Sequence, residues 1–336
     1  MFSSEIDFRE NLERFVSAFD GKSFTKSYTC TLSFIERVFQ QSLYQILHIE
    51  AVENHGIMKM QVSWPDVLVC CKNSIQMRIQ PLLETLNQPQ PSLGIGAGGD
   101  SIKKVDITAE SAIIDTLKEH RISFTLISEE SGIEEYGSAP HNNFVTVDPI
   151  DGTTNLVRGI PFYATSIAVS TEPTINTIHT ALVTDLVHGK TYTVQKGKGA
   201  HCNNQKITPS KAESLETAVI GIDLNTYKTQ MIASRLTNLI QKTKHIRHLG
   251  ANALELCYVA DATTDAFIDI RGKLRTTDMA AAYLIIKEAG AKITTPKGRP
   301  LKTNLSPKQK IAFIAAANQT IHKIILNLIK PEKEIK

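Results

Sequence analysis

The sequence predicts a mixed α/β protein whose first half favours antiparallel sheet and whose second half alternates strands with helices. Three observations carry that expectation. From Phe124 to about Val194, short apolar runs alternate with turn signals such as Val187-His188-Gly189-Lys190 and Gly197-Lys198-Gly199, the pattern of a meander. After Pro209 the pattern changes: 218–222, 245–249 and 265–270 read as strands, while 226–243, 251–260 and 278–289 read as helices. Ahead of both, Val67, Leu68, Ile75, Ile79 and Leu83 fall at helical spacing.

In chain order, Pro65 suits a first helical turn, with Ser63 or Trp64 near the cap, and the run Asn87-Gln88-Pro89-Gln90-Pro91 stops that helix. A glycine-rich loop, 94–99, leads to Asp100 and the Lys103-Lys104 pair, and a second helix is expected at about 107–120. Strands follow from Phe124, including 164–171 and 180–184. Gly290 closes the helix that starts at Asp278, and 329–336 reads as a frayed tail. The first 57 residues carry helical spacing at 7–19 and 33–49 around a break at Gly21-Lys22-Ser23-Phe24. Two readings of them stand: a helical extension that packs or assembles, or an upstream run ahead of a true start at Met58 or Met60. The rest divides into 58–210, an α+β half, and 211–330, an α/β half.

Bulk properties exclude several function classes. The 336 residues suffice for one large unit or two packed halves. Hydrophobic content of 42%, charged content of 21% and a net charge of +3 are ordinary for a globular protein. No basic stripe with interleaved aromatics is present, so no nucleic-acid partner is expected. No apolar stretch approaches the ~20 residues that span a bilayer, and the N-terminus lacks the apolar core of a secretory signal. Cys30, Cys70, Cys71, Cys202 and Cys257 form an odd set without metal-type spacing, as expected of reduced thiols in a cytoplasmic protein.

The chemistry is concentrated in Asp148-Pro149-Ile150-Asp151-Gly152-Thr153-Thr154-Asn155. An apolar run, Phe144-Val145-Thr146-Val147, reads as a buried strand, and Pro149 prevents a helix from starting at Asp148. The strand therefore delivers both carboxylates to its end. Gly152 lets backbone approach a ligand, and Thr153 and Thr154 add hydroxyls and N–H groups. Hard cations such as Mg²⁺ take carboxylate and carbonyl oxygens and share their shell with substrate phosphate.

This octapeptide resembles the signature of the inositol monophosphatase/fructose-1,6-bisphosphatase superfamily, the Mg²⁺-dependent, lithium-sensitive sugar phosphatases. Leu126-Ile127-Ser128-Glu129-Glu130-Ser131 resembles the family's strand ending in an acidic pair. Leu274-Arg275-Thr276-Thr277-Asp278-Met279-Ala280 resembles its second signature, with Thr277 where an aromatic residue usually precedes the Asp. Arg158 to Tyr163, Arg247 to Ala253 and Gly94 to Asp100 extend the likeness, which runs from about Met60 to Leu328 and is strongest to archaeal-type bifunctional members.

The resemblance implies a layered αβαβα sandwich with its site between the halves, a homodimer or higher homo-oligomer, and two or three Mg²⁺ ions per site. Glu129, Asp148 and the Ile150 carbonyl would hold the first ion, and Asp148, Asp151 and Asp278 the second. A third would lean on Glu129 and the 94–99 loop, where Asp100 stands two residues beyond the usual acid. Thr153 and Asp106 would relay a proton from the attacking water, with Glu129 the third catalytic group. Gly152 and Thr153 N–H groups would cradle phosphate, and Arg247, Gly250, Ala251, Asn252 and Arg271 would meet the substrate, with Tyr163 and Asn225 lining the pocket. Asp106 and Asp278 are alternatively helix caps, Arg271 a solvent-facing strand end, and Glu130 a surface or supporting acid. The expected substrates are fructose 1,6-bisphosphate and inositol 1-phosphate. A 3′-phosphoadenosine-nucleotide or NADP phosphatase and a non-catalytic binding protein are the rivals.

Overall fold

The structure, a computed structural model, describes residues 63–83, 94–99, 103–225 and 229–329. All of these belong to one unit, Val62–Lys336. The extension 1–57 with its two expected helices, and Asp100 in the glycine-rich loop, lie outside the described residues.

Among the described residues two helices come first, α1 (Trp64–Leu83) and α2 (Lys104–Glu119). α1 buries Val67, Leu68, Cys71, Ile75 and Ile79 on one face. Cys71 thus serves in the core. Next come β1 (Phe124–Ser128), β2 (Gly132–Tyr136), β3 (Phe144–Asp151), β4 (Ala164–Ser170), β5 (Ile178–Asp185), β6 (Thr191–Gln195), β7 (Ala200–Cys202) and β8 (Gln205–Lys206). They form one sheet in the order β2-β1-β3-β4-β5-β6-β7-β8. From β3 onward each neighbour is antiparallel, as the meander pattern predicts. Within this sheet only β1 and β3 are parallel: the β1–β2 hairpin occupies one side of β1, and β3 lies on the other.

The second sheet holds β9 (Val219–Ile222), β10 (His245–Arg247), β11 (Ala266–Arg275), β12 (Lys292–Thr294) and β13 (Lys310–Ala316), ordered β10-β9-β11-β13-β12. The helices of this half are α4 (Thr229–Lys242), α5 (Asn252–Ala260), α6 (Thr276–Ala289) and α7 (Gln319–Leu328), while the short α3 (Thr153–Arg158) follows β3.

Period-2 alternation assigns each strand face to a layer. Val145, Val147 and Ile167 pack on α1 and α2. Ala168, Ala181, Phe267 and Phe313 enclose α5 and α6 between the sheets. Ile268, Ile314 and Ala316 pack on α4 and α7. The order is αβαβα, and the expected fold class is borne out. Among the described residues no helix is long and apolar enough to cross a membrane.

Two boundaries differ from expectation near the site. β11 continues past Ile270 through Gly272, whose φ is +64°, and its register against β13 shifts between Asp269 and Leu274. The irregularity and the polar Arg271-Gly272-Lys273 step hide the continuation, because alternation stops there. α6 begins at Thr276 rather than Asp278, so the acid sits in the first turn instead of at the cap.

Candidate active site

Strand register assembles the centre. β1 and β3 run parallel with Ser128 opposite Val147, so the next residues, Glu129 and Asp148, emerge side by side. β3 then slips against β4 between Asp148 and Asp151, and the irregularity leaves Pro149 and Ile150 outside the ladder. The Pro149 carbonyl accepts from Thr165 Oγ1 at 2.6 Å, which fixes that step. Asp278 arrives from the first turn of α6. One oxygen each of Glu129, Asp148 and Asp278 lies within 4.8 Å of the others, and all three residues are buried. Burial first, then the neighbouring acid, pushes the carboxyls of Glu129 and Asp148 well up. Asp148 Oδ1 is enclosed with no hydrogen-bond partner among the described residues. A buried, unpartnered oxygen inside an oxygen-only acidic cluster is costly without a cation and fits Mg²⁺.

Asp151 is buried beside this trio but turned elsewhere. Its Oδ1 accepts from the Asn252 N–H at 3.0 Å and its Oδ2 from the Ala253 N–H at 2.7 Å, at the start of α5. The Ile150 carbonyl accepts from Thr153 Oγ1 at 2.9 Å. The same hydroxyl reaches Asp106 Oδ1 at 3.3 Å, so one proton faces two acceptors. Asp106 also caps α2 by accepting from the Lys103 N–H at 2.8 Å. The capping and relay readings of Asp106 are thus compatible. Burial pushes its carboxyl up to about 6. Glu130 is raised to about 7, by burial and then Asp106 and Glu110.

Gly152 turns β3 into α3 with φ +89°. A Cβ there would lie 3.1 Å from both the Ala251 Cβ and the Phe162 carbonyl, a tight fit that adds to the left-handed φ in favouring glycine. Gly152, Gly250 and Ala251 are accordingly brought together. Asn155, the last residue of the octapeptide, ties them: its Nδ2 donates to the Leu249 carbonyl at 2.7 Å and the Phe162 carbonyl at 2.8 Å. Asn252 presents a buried Oδ1 with no partner among the described residues. Arg247 is exposed, and its Nη1 donates to the Ile246 carbonyl at 2.8 Å.

Arg271 is placed differently from either sequence expectation. It neither faces solvent nor holds its charge free for a ligand: the side chain is 7% exposed and pairs with Asp223 and, at 2.6 Å, with Asp269. Its Nη1 donates to the Asn225 carbonyl at 2.9 Å, and Asn225 Oδ1 lies 3.1 Å from His248 Nε2. Asn225 therefore joins the 223–225 and 247–250 segments. Tyr163 packs against the α1–α2 core cluster.

Sequence reasoning assigned no role to Arg275, Asn155 or Glu255. Arg275 pairs with Glu129 at 2.6 Å and with Asp278 at 3.2 Å. Glu255 Oε1 accepts from the N–H groups of Gly250 at 2.9 Å and Leu249 at 3.2 Å. An acid inside the apolar run Ala253-Leu254-Glu255-Leu256-Cys257 was a usable signal, since such a residue is rarely buried without partners.

Residues 78–334 match the Inositol monophosphatase family. The chain belongs to the inositol monophosphatase family. The resemblance carried by the octapeptide is borne out. This family member is 34% identical to the fructose-1,6-bisphosphatase/inositol-1-monophosphatase of Methanothermobacter thermautotrophicus, over 80% of this chain and 96% of that protein. It is 32% identical to a bifunctional NADP phosphatase/NAD kinase of Methanococcus maripaludis, covering 78% of this chain and 48% of that one. A crystal structure of an inositol monophosphatase-fructose 1,6 bisphosphatase superposes with a TM-score of 0.71 at 32% identity, over 80% of this chain and all (100%) of the other.

Proposed function

We propose that this chain is a Mg²⁺-dependent phosphatase of sugar-phosphate monoesters, with fructose 1,6-bisphosphate and inositol 1-phosphate as its substrates. Its enzyme class is phosphoric monoester hydrolase. The observation that carries the reading is the buried trio Glu129, Asp148 and Asp278 beside Thr153 and Asp106.

Glu129, Asp148 and Asp278, with the Ile150 carbonyl and Asp151 at the margin, would hold the cation. Bound there, it supplies charge neutralisation and acidifies water. Thr153 Oγ1 accepts a proton from water on the substrate side and passes its own to Asp106 Oδ1. The same hydroxyl hydrogen is shared with the Ile150 carbonyl, so transfer requires it to turn to Asp106. Gly152, held by its left-handed φ against Ala251, keeps backbone close to the phosphate. Water is the nucleophile, and no covalent phosphoenzyme forms. In this reading 58–210 supplies most ligands, while 211–330 adds Asp278 and the sugar-facing loop with Arg247, Gly250, Ala251 and Asn252.

A second reading, NADP or 3′-phosphoadenosine-nucleotide phosphatase, is favoured by the relatives named as NADP phosphatases. Phosphate release from fructose 1,6-bisphosphate, inositol 1-phosphate, 3′-phosphoadenosine 5′-phosphate and NADP, with and without Mg²⁺, separates the two. Mg²⁺-dependent release from the first pair supports the proposal. Release from the nucleotides alone keeps the metal site and overturns the substrate.

A further inference from the structure

Arg275 ends β11 immediately before α6, and its guanidinium lies between two elements of the site. On one side are carboxylates: Nη2 is 2.6 Å from Glu129 Oε2, and Nε donates to Asp278 Oδ1 at 3.2 Å. On the other is the glycine-rich loop, whose Gly98 carbonyl accepts from Nη1 at 3.4 Å. That loop is seated on the acidic pair: the Gly98 N–H donates to the Glu129 carbonyl at 2.6 Å and the Ala97 N–H to the Glu130 carbonyl at 3.0 Å. A Cβ on Gly98 would come within 2.9 Å of Arg275 Nη1 and 3.1 Å of its Cδ, so the close approach depends on glycine.

The guanidinium therefore neutralises two of the three carboxylates that would hold a divalent cation, using Oε2 of Glu129 and Oδ1 of Asp278. A Mg²⁺-type ion takes such oxygens at about 2.0–2.1 Å in near-octahedral geometry. A planar cation in charge contact with the first oxygen and hydrogen-bonded to the second crowds the positions that geometry needs and repels the incoming charge.

We propose that Arg275 is a resident counter-cation that competes with the divalent ion for Glu129 and Asp278. Arg275 is on this account a positioning residue that sets the metal concentration at which the site loads. The inference rests on the proposed metal site, and its test separates the two.

The measurement is free Mn²⁺ by electron paramagnetic resonance during titration of the metal-stripped full chain, without substrate. Wild type, Arg275→Gln, Arg275→Lys and Asp148→Asn are compared, with circular dichroism confirming folding. Competition makes Arg275→Gln bind the first Mn²⁺ about tenfold more tightly than wild type, the scale on which groups touching metal ligands move affinity. Arg275→Lys, which keeps the charge but loses the fork, falls between them and carries the test should the glutamine variant not fold. Equal or weaker Mn²⁺ binding by both variants overturns the inference, because Arg275 would then merely orient Glu129. Absence of Mn²⁺ uptake by wild type and by both Arg275 variants, with Asp148→Asn indistinguishable from them, overturns the metal site itself.

Discussion

Asp151 at the end of β3 caps a helix more than a hundred residues away: its Oδ2 accepts from the Ala253 N–H at 2.7 Å, and its Oδ1 from the Asn252 N–H at 3.0 Å. Two of the N–H groups left over at the start of α5 thus find their partner in the other sheet. Asp151→Ala strands both donors and should cost roughly 1–2 kcal/mol. Asp151→Asn, which keeps an acceptor and removes a buried charge, should cost less. Urea midpoints check the order, and an alanine variant as stable as wild type would remove the cap from the account.

Asp148→Asn separates chemistry from folding. The buried Oδ1 has no partner, and burial together with Glu129 raises this carboxyl. Removing the charge while keeping the shape should leave the melting temperature in EDTA unchanged or higher. Mg²⁺-dependent phosphate release should fall by roughly 10²–10³-fold, the scale for losing one charge-stabilising group. Near-wild-type turnover would refute the assignment of Asp148 to the metal.

Thr153→Ala should lower kcat by about 10²-fold or more, the lower end for a lost proton-transfer group, with Thr153→Ser restoring most of it. A serine variant as slow as alanine would mean that packing rather than the hydroxyl matters at this position.

Glu255 should make the stability of the chain depend on pH. Burial raises its carboxyl from the ordinary 4.5 to about 7 despite the Gly250 and Leu249 N–H bonds. The folded state thus binds more protons than the unfolded state between these values, and stability falls as pH rises from about 4.5 through 7. Glu255→Gln, which keeps an acceptor oxygen, should flatten that slope by on the order of 3 kcal/mol at most. Chemical denaturation at pH 5 and about pH 8 measures the difference. Identical slopes would show that Glu255 does not titrate there.

Arg271→Met leaves Asp223 and Asp269 facing each other without their cation, and should destabilise by about 3–5 kcal/mol. An effect confined to KM, with no change in unfolding midpoint, would return Arg271 to the substrate.

The strands and most helices were legible because their periodicity is local. Phe144 to Val147 announces β3, and Pro149 marks where its pairing must break. The family motifs pointed to Glu129, Asp148 and Asp278, and the fold brings these three together. Hidden were the features that depend on partners far along the chain. Nothing around Arg271 shows that Asp223 will reach it, and nothing around Arg275 announces Glu129. The parallel pairing of β1 with β3 was equally invisible, since alternation fixes which face is buried but not which neighbour arrives. β13 and α7 were not singled out individually, although the likeness extended across them.

Glu129 and Asp148 owe their adjacency to strand register, whereas Arg247 ends β10 and Asn225 and His248 sit on the segments that follow β9 and β10. The 247–250 segment is nonetheless moored to the acid-bearing turn through Asn155 and Gly152, so any change of sequence there must keep those two contacts.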